Sequence, residues 1–150
     1  MSILKKYILK KSLYMKILVP LDGSKNAEKA LIQACDLAKS YQGSLTLLYV
    51  AEKAAPFNLL DRKEYHEMVR KFGDKVLKKA RETAEKRGVD PKLVMKQGNV
   101  VNEIVKLAKK EKSNLIIVGN KGLGKTARIF LGSVSAKLAN NSPCSILIVK

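Results

Sequence analysis

Five short apolar runs, separated by stretches with helical spacing, constrain this chain more than any other feature. They are Lys16 to Leu21 (KILVPL), Ser44 to Val50 (SLTLLYV), Pro91 to Lys96 (PKLVMK), Asn114 to Val118 (NLIIV) and Ser145 to Val149 (SILIV). Apolar runs without strict alternation suit strands covered on both faces, and helical connections between them demand right-handed crossovers. The pattern predicts a doubly wound α/β fold of Rossmann-like type, a five-stranded parallel sheet with helices on both faces. A chain of 150 residues is the size of one such domain.

The intervening stretches carry their own signals. Asp22-Gly23-Ser24 supplies a turn and an N-cap. Ala27, Ala30, Leu31, Ala34, Leu37, Ala38 and Tyr41 then recur at helical spacing, with Gly43 placed to end the helix. Asp61 with Glu64 three positions on resembles a capping box. From there Tyr65, Met68, Val69, Phe72, Val76, Leu77, Ala80 and Ala84 form an apolar stripe running to Gly88. Gly98-Asn99 introduces a helix built on Val101, Ile104, Val105 and Ala108, and Ser133 to Asn140 reads as a short last helix. The third strand reads as an edge.

Residues 1–14 (MSILKKYILKKSLY) precede the clean start of the pattern at Met15 and carry four lysines with no acid. A basic amphipathic helix on a membrane surface, a disordered arm and a mis-assigned start codon all fit this extension. Domain organisation is therefore a basic extension over 1–14 and one domain over 15–150.

The net charge of +17 favours polyanions, although the lysines are dispersed among glutamates as on a solvated surface. No apolar run approaches the length of a membrane helix. Cys35 and Cys144 show neither disulfide nor zinc spacing and read as buried thiols in a reducing cytoplasm, while His66, in a charged helical run, reads as a solvated surface residue.

The chemistry concentrates in Val118 to Ser133, VGNKGLGKTARIFLGS. Gly119 to Thr126 matches GxxxxGK[ST], the P-loop of nucleoside triphosphatases. A P-loop also needs a later strand ending in an aspartate for magnesium, and the one strand that follows, SILIVK, has no acid. A wider spacing, Gly119 and Gly122 followed by Gly132-Ser133, suits a doubly wound sheet better. Ligands bind such sheets beyond the carboxyl ends of the strands where strand order reverses. Were the first and fourth strands central neighbours, Asp22 would face these glycines, with Lys121 and Lys125 as electrostatic support. A phosphoacceptor receiver has the same strand count but needs clustered acids, and only Asp22 is suitably placed.

MKILVPLDGS, the C-terminal segment VGNKGLGKTARIFLGSVSAKLANNSPCSILIVK, and the GxxG, nine residues, GS spacing together resemble the universal stress protein family, ATP-binding subclass. The resemblance covers Met15 to Lys150. It implies strand order 3-2-1-4-5, ATP bound at the strand ends with any Mg2+ held mainly by the phosphates, and a homodimer joined along the last strand. It implies that Asp22 lies near ribose and adenine, with Pro20 and Leu21 lining that end, and that the Val50 backbone meets adenine. Gly119, Gly122, Gly132, Ser133, Val134 and Ser135 would meet ribose and phosphates, with Val118 and Lys121 completing the site. Gly124-Lys125-Thr126 departs from the family pattern and accounts for the P-loop match. No catalytic residue is assigned. The expected activity is nucleotide-dependent regulation in the cytoplasm with slow or no hydrolysis; a basic adaptor for nucleic acid or anionic membrane is the alternative.

Overall fold

The computed structural model describes residues 2–3, 15–53, 62–123 and 131–150. The elements run β1 (Lys16–Pro20), α1 (Lys25–Ser40), β2 (Ser44–Ala51), α2 (Arg62–Lys86), β3 (Lys92–Gln97), α3 (Val100–Glu111), β4 (Leu115–Gly119), α4 (Ser133–Asn141) and β5 (Ser145–Val149). All pairings are parallel, in the order β3-β2-β1-β4-β5. The expected architecture and strand order are both present. The extension over 1–14, the Asp61 cap and Gly124-Lys125-Thr126 lie outside or mostly outside the described residues.

Strand alternation divides the core between two faces. Ile17, Val19, Leu45, Leu47, Tyr49 and Ile117 pack under α1 and α2. Their neighbours Leu18, Leu48, Val50, Ile116 and Val118 pack under α3 and α4. With helices on both sides, neither face of the three central strands can be polar, which is why their runs are almost wholly apolar.

Local chemistry sets the helix ends. Ser24 caps α1 by accepting from the Ala27 amide at 3.1 Å, and Asn99 caps α3 by accepting from Asn102 at 3.0 Å. At the end of α1 the left-handed residue is Gln42, with φ of 49°, rather than Gly43. Gly43 donates to Ala38 O at 2.8 Å, and a side chain there would run into the Met15 carbonyl. That glycine therefore closes the helix end, its amide reaching back to Ala38 as the left-handed turn at Gln42 reverses the chain, and also permits the close approach to the start of β1.

The apolar stripe of α2 differs from the expectation. Met68 and Phe72 are 52% and 43% exposed, and the buried positions are Gly73, Leu77, Ala80 and Ala84. Gly73 passes so close to the sheet that a Cβ would strike the Tyr49 ring and Met95. With 25 residues, α2 is about 37 Å long, whereas the eight residues of β2 span about 26 Å. Its first turns consequently overhang the carboxyl end of the sheet. His66 lies on this overhang, half-buried rather than solvated, and its Nε2 is buried without a hydrogen-bond partner among the described residues. Cys35 is fully buried as expected, but Cys144 is only half-buried because it enters the edge strand β5.

The amino-terminal end of the sheet is closed by direct bonds. Lys16 N–H donates to Asn114 Oδ1 at 2.7 Å, and Asn114 N–H returns to Lys16 O at 2.8 Å. Glu111, ending α3, accepts from Thr46 Oγ1 at 2.9 Å and pairs with Lys92 Nζ at 2.6 Å.

Candidate functional site

At the carboxyl end of the sheet a cleft of about 810 Å³ opens between the loop after β1 and the loop after β4. This is the switch point: β1 leads outward to β2 on one side, while β4 and β5 extend the sheet on the other. Pro20, Leu21, Asp22, Val50, Val118, Gly119, Lys121, Gly122, Gly132, Ser133, Val134 and Ser135 all line it. Residues from four separate stretches of sequence thus converge on one cavity.

Two glycines allow the loops to meet. A Cβ on Gly122 would lie 2.6 Å from Asp22 Oδ2, so the carboxylate and the β4 loop face each other across the mouth. A Cβ on Gly119 would lie 2.8 Å from the Asn26 carbonyl carbon, so β4 ends flush against the first turn of α1. The other Asp22 oxygen, Oδ1, accepts from the Ser24 amide at 2.9 Å, fixing the carboxylate's orientation while leaving Oδ2 towards the cleft.

The start of α4 is chemically suited to an anion. Gly132 is its N-cap, with extended φ and ψ of −70° and 170°, and no side chain caps the helix. The first amides of a helix lack intrahelical acceptors and carry the positive end of the helix dipole, so phosphate oxygens suit this position. Ser133 adds an exposed hydroxyl, and Lys121 stands half-buried on the facing loop. The Ser135 hydroxyl donates towards Asn120 O at 3.0 Å and Gly132 O at 3.1 Å, pinning the loop to the helix.

On the opposite side the end of β2 supplies polar backbone. Leu21 N–H donates to Leu48 O at 2.8 Å, so Leu48 faces β1. The alternation of a parallel strand turns the amide and carbonyl of Val50 to the same side, beyond Pro20 where β1 has ended. A planar base with a donor and an acceptor on one edge fits against such a backbone pair.

Sequence reasoning missed part of the wall. Tyr49, Glu52, Tyr65, Val69 and Phe72 line the cleft, as does Asn120. The Tyr49 and Phe72 rings meet edge to face, 6.0 Å between centroids. Burial pushes the Tyr49 hydroxyl above its ordinary pKa, and Asp22, Tyr65 and Glu52, which line the same cleft, reinforce the shift. The overhang of α2 brings Tyr65, Val69 and Phe72 here, and helical periodicity alone reads all three as ordinary core. Among the described residues no group of three or more His, Cys, Asp or Glu is placed to hold a metal ion.

Fold and cleft define a doubly wound α/β protein with an open cleft at its switch point. The family model for the universal stress protein family matches residues 13–150, and the chain belongs to that family. A universal stress protein of Methanocaldococcus jannaschii is 35% identical, covering 98% of this chain and 92% of the relative. Among solved structures, the universal stress protein UspA from Lactobacillus plantarum superposes with a TM-score of 0.82 at 25% identity, covering 91% of this chain and 98% of that one. A universal stress protein solved in complex with cAMP superposes with a TM-score of 0.72 at 28% identity, covering 93% and 99%.

Proposed function

We propose that this protein binds an adenine nucleotide, ATP in the first instance, in the switch-point cleft, and acts as a nucleotide-dependent regulatory module. The observation that carries this reading is the pairing, within one cavity, of the uncapped start of α4 with the outward-turned backbone of Val50. The α4 amides, Ser133 and Lys121 take the phosphates, Asp22 accepts from the ribose hydroxyls, and Val50 meets the adenine edge. The volume of about 810 Å³ falls within the roughly 300–1,000 Å³ usual for small-molecule sites. The relative solved with cAMP supports adenine nucleotides as the ligand class.

Magnesium would enter with the phosphates. Asp22 Oδ1 is engaged by the Ser24 amide, so the carboxylate is better placed to hold ribose than to activate water. Hydrolysis is accordingly slow or absent, and the bound state itself carries the signal.

The same reading includes a cytoplasmic homodimer joined along β5. Ile146, Leu147, Ile148 and Val149 are half-buried on an edge strand whose outer side pairs with no other strand among the described residues, and apolar edges of this kind are covered in stable proteins. Analytical ultracentrifugation should find a dimer that Ile148→Lys dissociates.

Mass spectrometry of small molecules released by denaturing freshly purified protein tests the nucleotide. Adenine nucleotide near one equivalent per chain is expected. Protein that carries none and shows no saturable ATP binding after dialysis would sink the reading. The charge of +17 favours a second, polyanion-binding reading, which predicts nucleic-acid or anionic-vesicle binding that falls steeply with salt.

A further inference from the structure

The two halves of the cleft come from loops far apart in sequence, yet a short contact joins them directly. Asn120, immediately after β4, accepts through Oδ1 from Asn26 Nδ2 in the first turn of α1, at 2.9 Å. Its carbonyl accepts from both the Gly132 amide, at 2.5 Å, and the Ser135 hydroxyl, at 3.0 Å. Its own amide donates to Val149 O at 2.8 Å, anchoring it to β5. Asn120 is 7% exposed, so these bonds form where water competes poorly.

Each bond points to a different part of the site. The side chain reaches α1, whose preceding turn holds Asp22. The carbonyl holds the N-cap of α4, where the phosphate would sit. The close approach of Gly119 to Asn26 brings the two amides within reach, and any side chain at position 119 would push them apart. One buried residue thereby fixes the separation between the ribose side and the phosphate side of the cleft.

We propose that Asn120, held by Asn26, is the positioning residue of this site, setting the start of α4 at phosphate distance and so selecting phosphorylated over unphosphorylated adenosine ligands. This inference rests on the adenine-nucleotide reading. Losing the amide pair lets the β4 loop and α4 drift from the Asp22 side. The amides that would meet phosphate lose their alignment, while the backbone of Val50, held by β2, does not move.

Calorimetric titration of dialysed full-length protein with AMP and with adenosine separates the outcomes, alongside the thermal midpoint of every variant. Asn26→Ala and Asn120→Ala should each weaken AMP about tenfold and adenosine less than about twofold. The double variant should lose no more than the worse single one, because both remove the same bond. Asn26 sits at the partly exposed start of α1, so its variant serves even where Asn120→Ala folds poorly. Equal losses for AMP and adenosine, or additive losses in the double variant, would overturn the positioning role. Wild-type protein that binds neither ligand would overturn the nucleotide reading beneath it.

Discussion

At the amino-terminal end of the sheet, groups left over by the strands are satisfied by the protein itself. Lys16 exchanges two hydrogen bonds with Asn114, Ser44 donates to Met15 O at 2.8 Å, and Thr46 and Lys92 converge on Glu111. At the carboxyl-terminal end, β1 stops short of β2, the α4 N-terminus has no side-chain cap, and glycines keep the walls bare. One sheet thus ends in a closed floor and an open mouth. Backbone polarity left unpaired at a floor would cost stability, whereas at the mouth it stays open to solvent or to a ligand.

The comparison breaks if substitutions at the mouth and the floor have the same consequences. The largest separation should come from Gly132→Val. Its backbone conformation suits any residue, but a Cβ would lie 3.1 Å from Asn120 O and 3.3 Å from Lys121 Cα, displacing the loop. Fluorescence titration should show nucleotide affinity down by about a hundredfold, while stability to denaturant changes by less than about 1 kcal/mol.

Glu111→Ala should do the reverse. It leaves the buried Thr46 hydroxyl without its acceptor and Lys92 without its partner, and Lys92 is exposed enough that its pairing adds little. Urea unfolding should report a loss of about 1–3 kcal/mol, with nucleotide affinity within twofold of wild type. Asp22→Ala sits between the two, since it removes both the proposed ribose acceptor and a local bond to the Ser24 amide. Affinity should fall about fivefold and stability by about 0.5–1 kcal/mol.

The smallest effect belongs to the core between mouth and floor. Burial pushes the Cys35 thiol above its ordinary pKa, with Arg87 opposing and Asp36 assisting to lesser degrees. A raised value means the folded state keeps the proton to higher pH than the unfolded chain. The stabilisation is complete below the unfolded thiol's pKa of about 8.5 and disappears as pH rises through the folded value. The stability gap between wild type and Cys35→Ala should therefore narrow from about pH 7 to about pH 10, by under about 1 kcal/mol; a gap that widens would contradict the assignment.

Strands were the most legible part of the sequence because burial on both faces leaves apolar runs such as KILVPL and NLIIV. The glycine spacing was legible for a related reason: a Cβ at Gly119 would strike the α1 backbone, one at Gly122 would strike the Asp22 carboxylate, and one at Gly132 would crowd the loop after β4. Periodicity misread α2 because a helix longer than its strand carries one apolar pattern through two environments. Gly73 to Ala84 faces the sheet, whereas Tyr65, Val69 and Phe72 face the cleft. Asn120 was invisible because its partners, Asn26, Gly132, Ser135 and Val149, lie at separations that no local pattern encodes. His66 and Cys144 depended on which ends of elements overhang or edge the sheet, which spacing alone does not specify.

The central claim is that nucleotide binds at the mouth, and amide chemical-shift mapping of isotope-labelled protein titrated with ATP tests it most directly. Saturable shifts are predicted at Val50, Gly119, Gly122, Gly132, Ser133 and Val134, with Ser44, Thr46 and Asn114 at the floor unmoved. Shifts that never saturate, or that centre on the lysines of α2 and α3 instead of the cleft, would contradict the account.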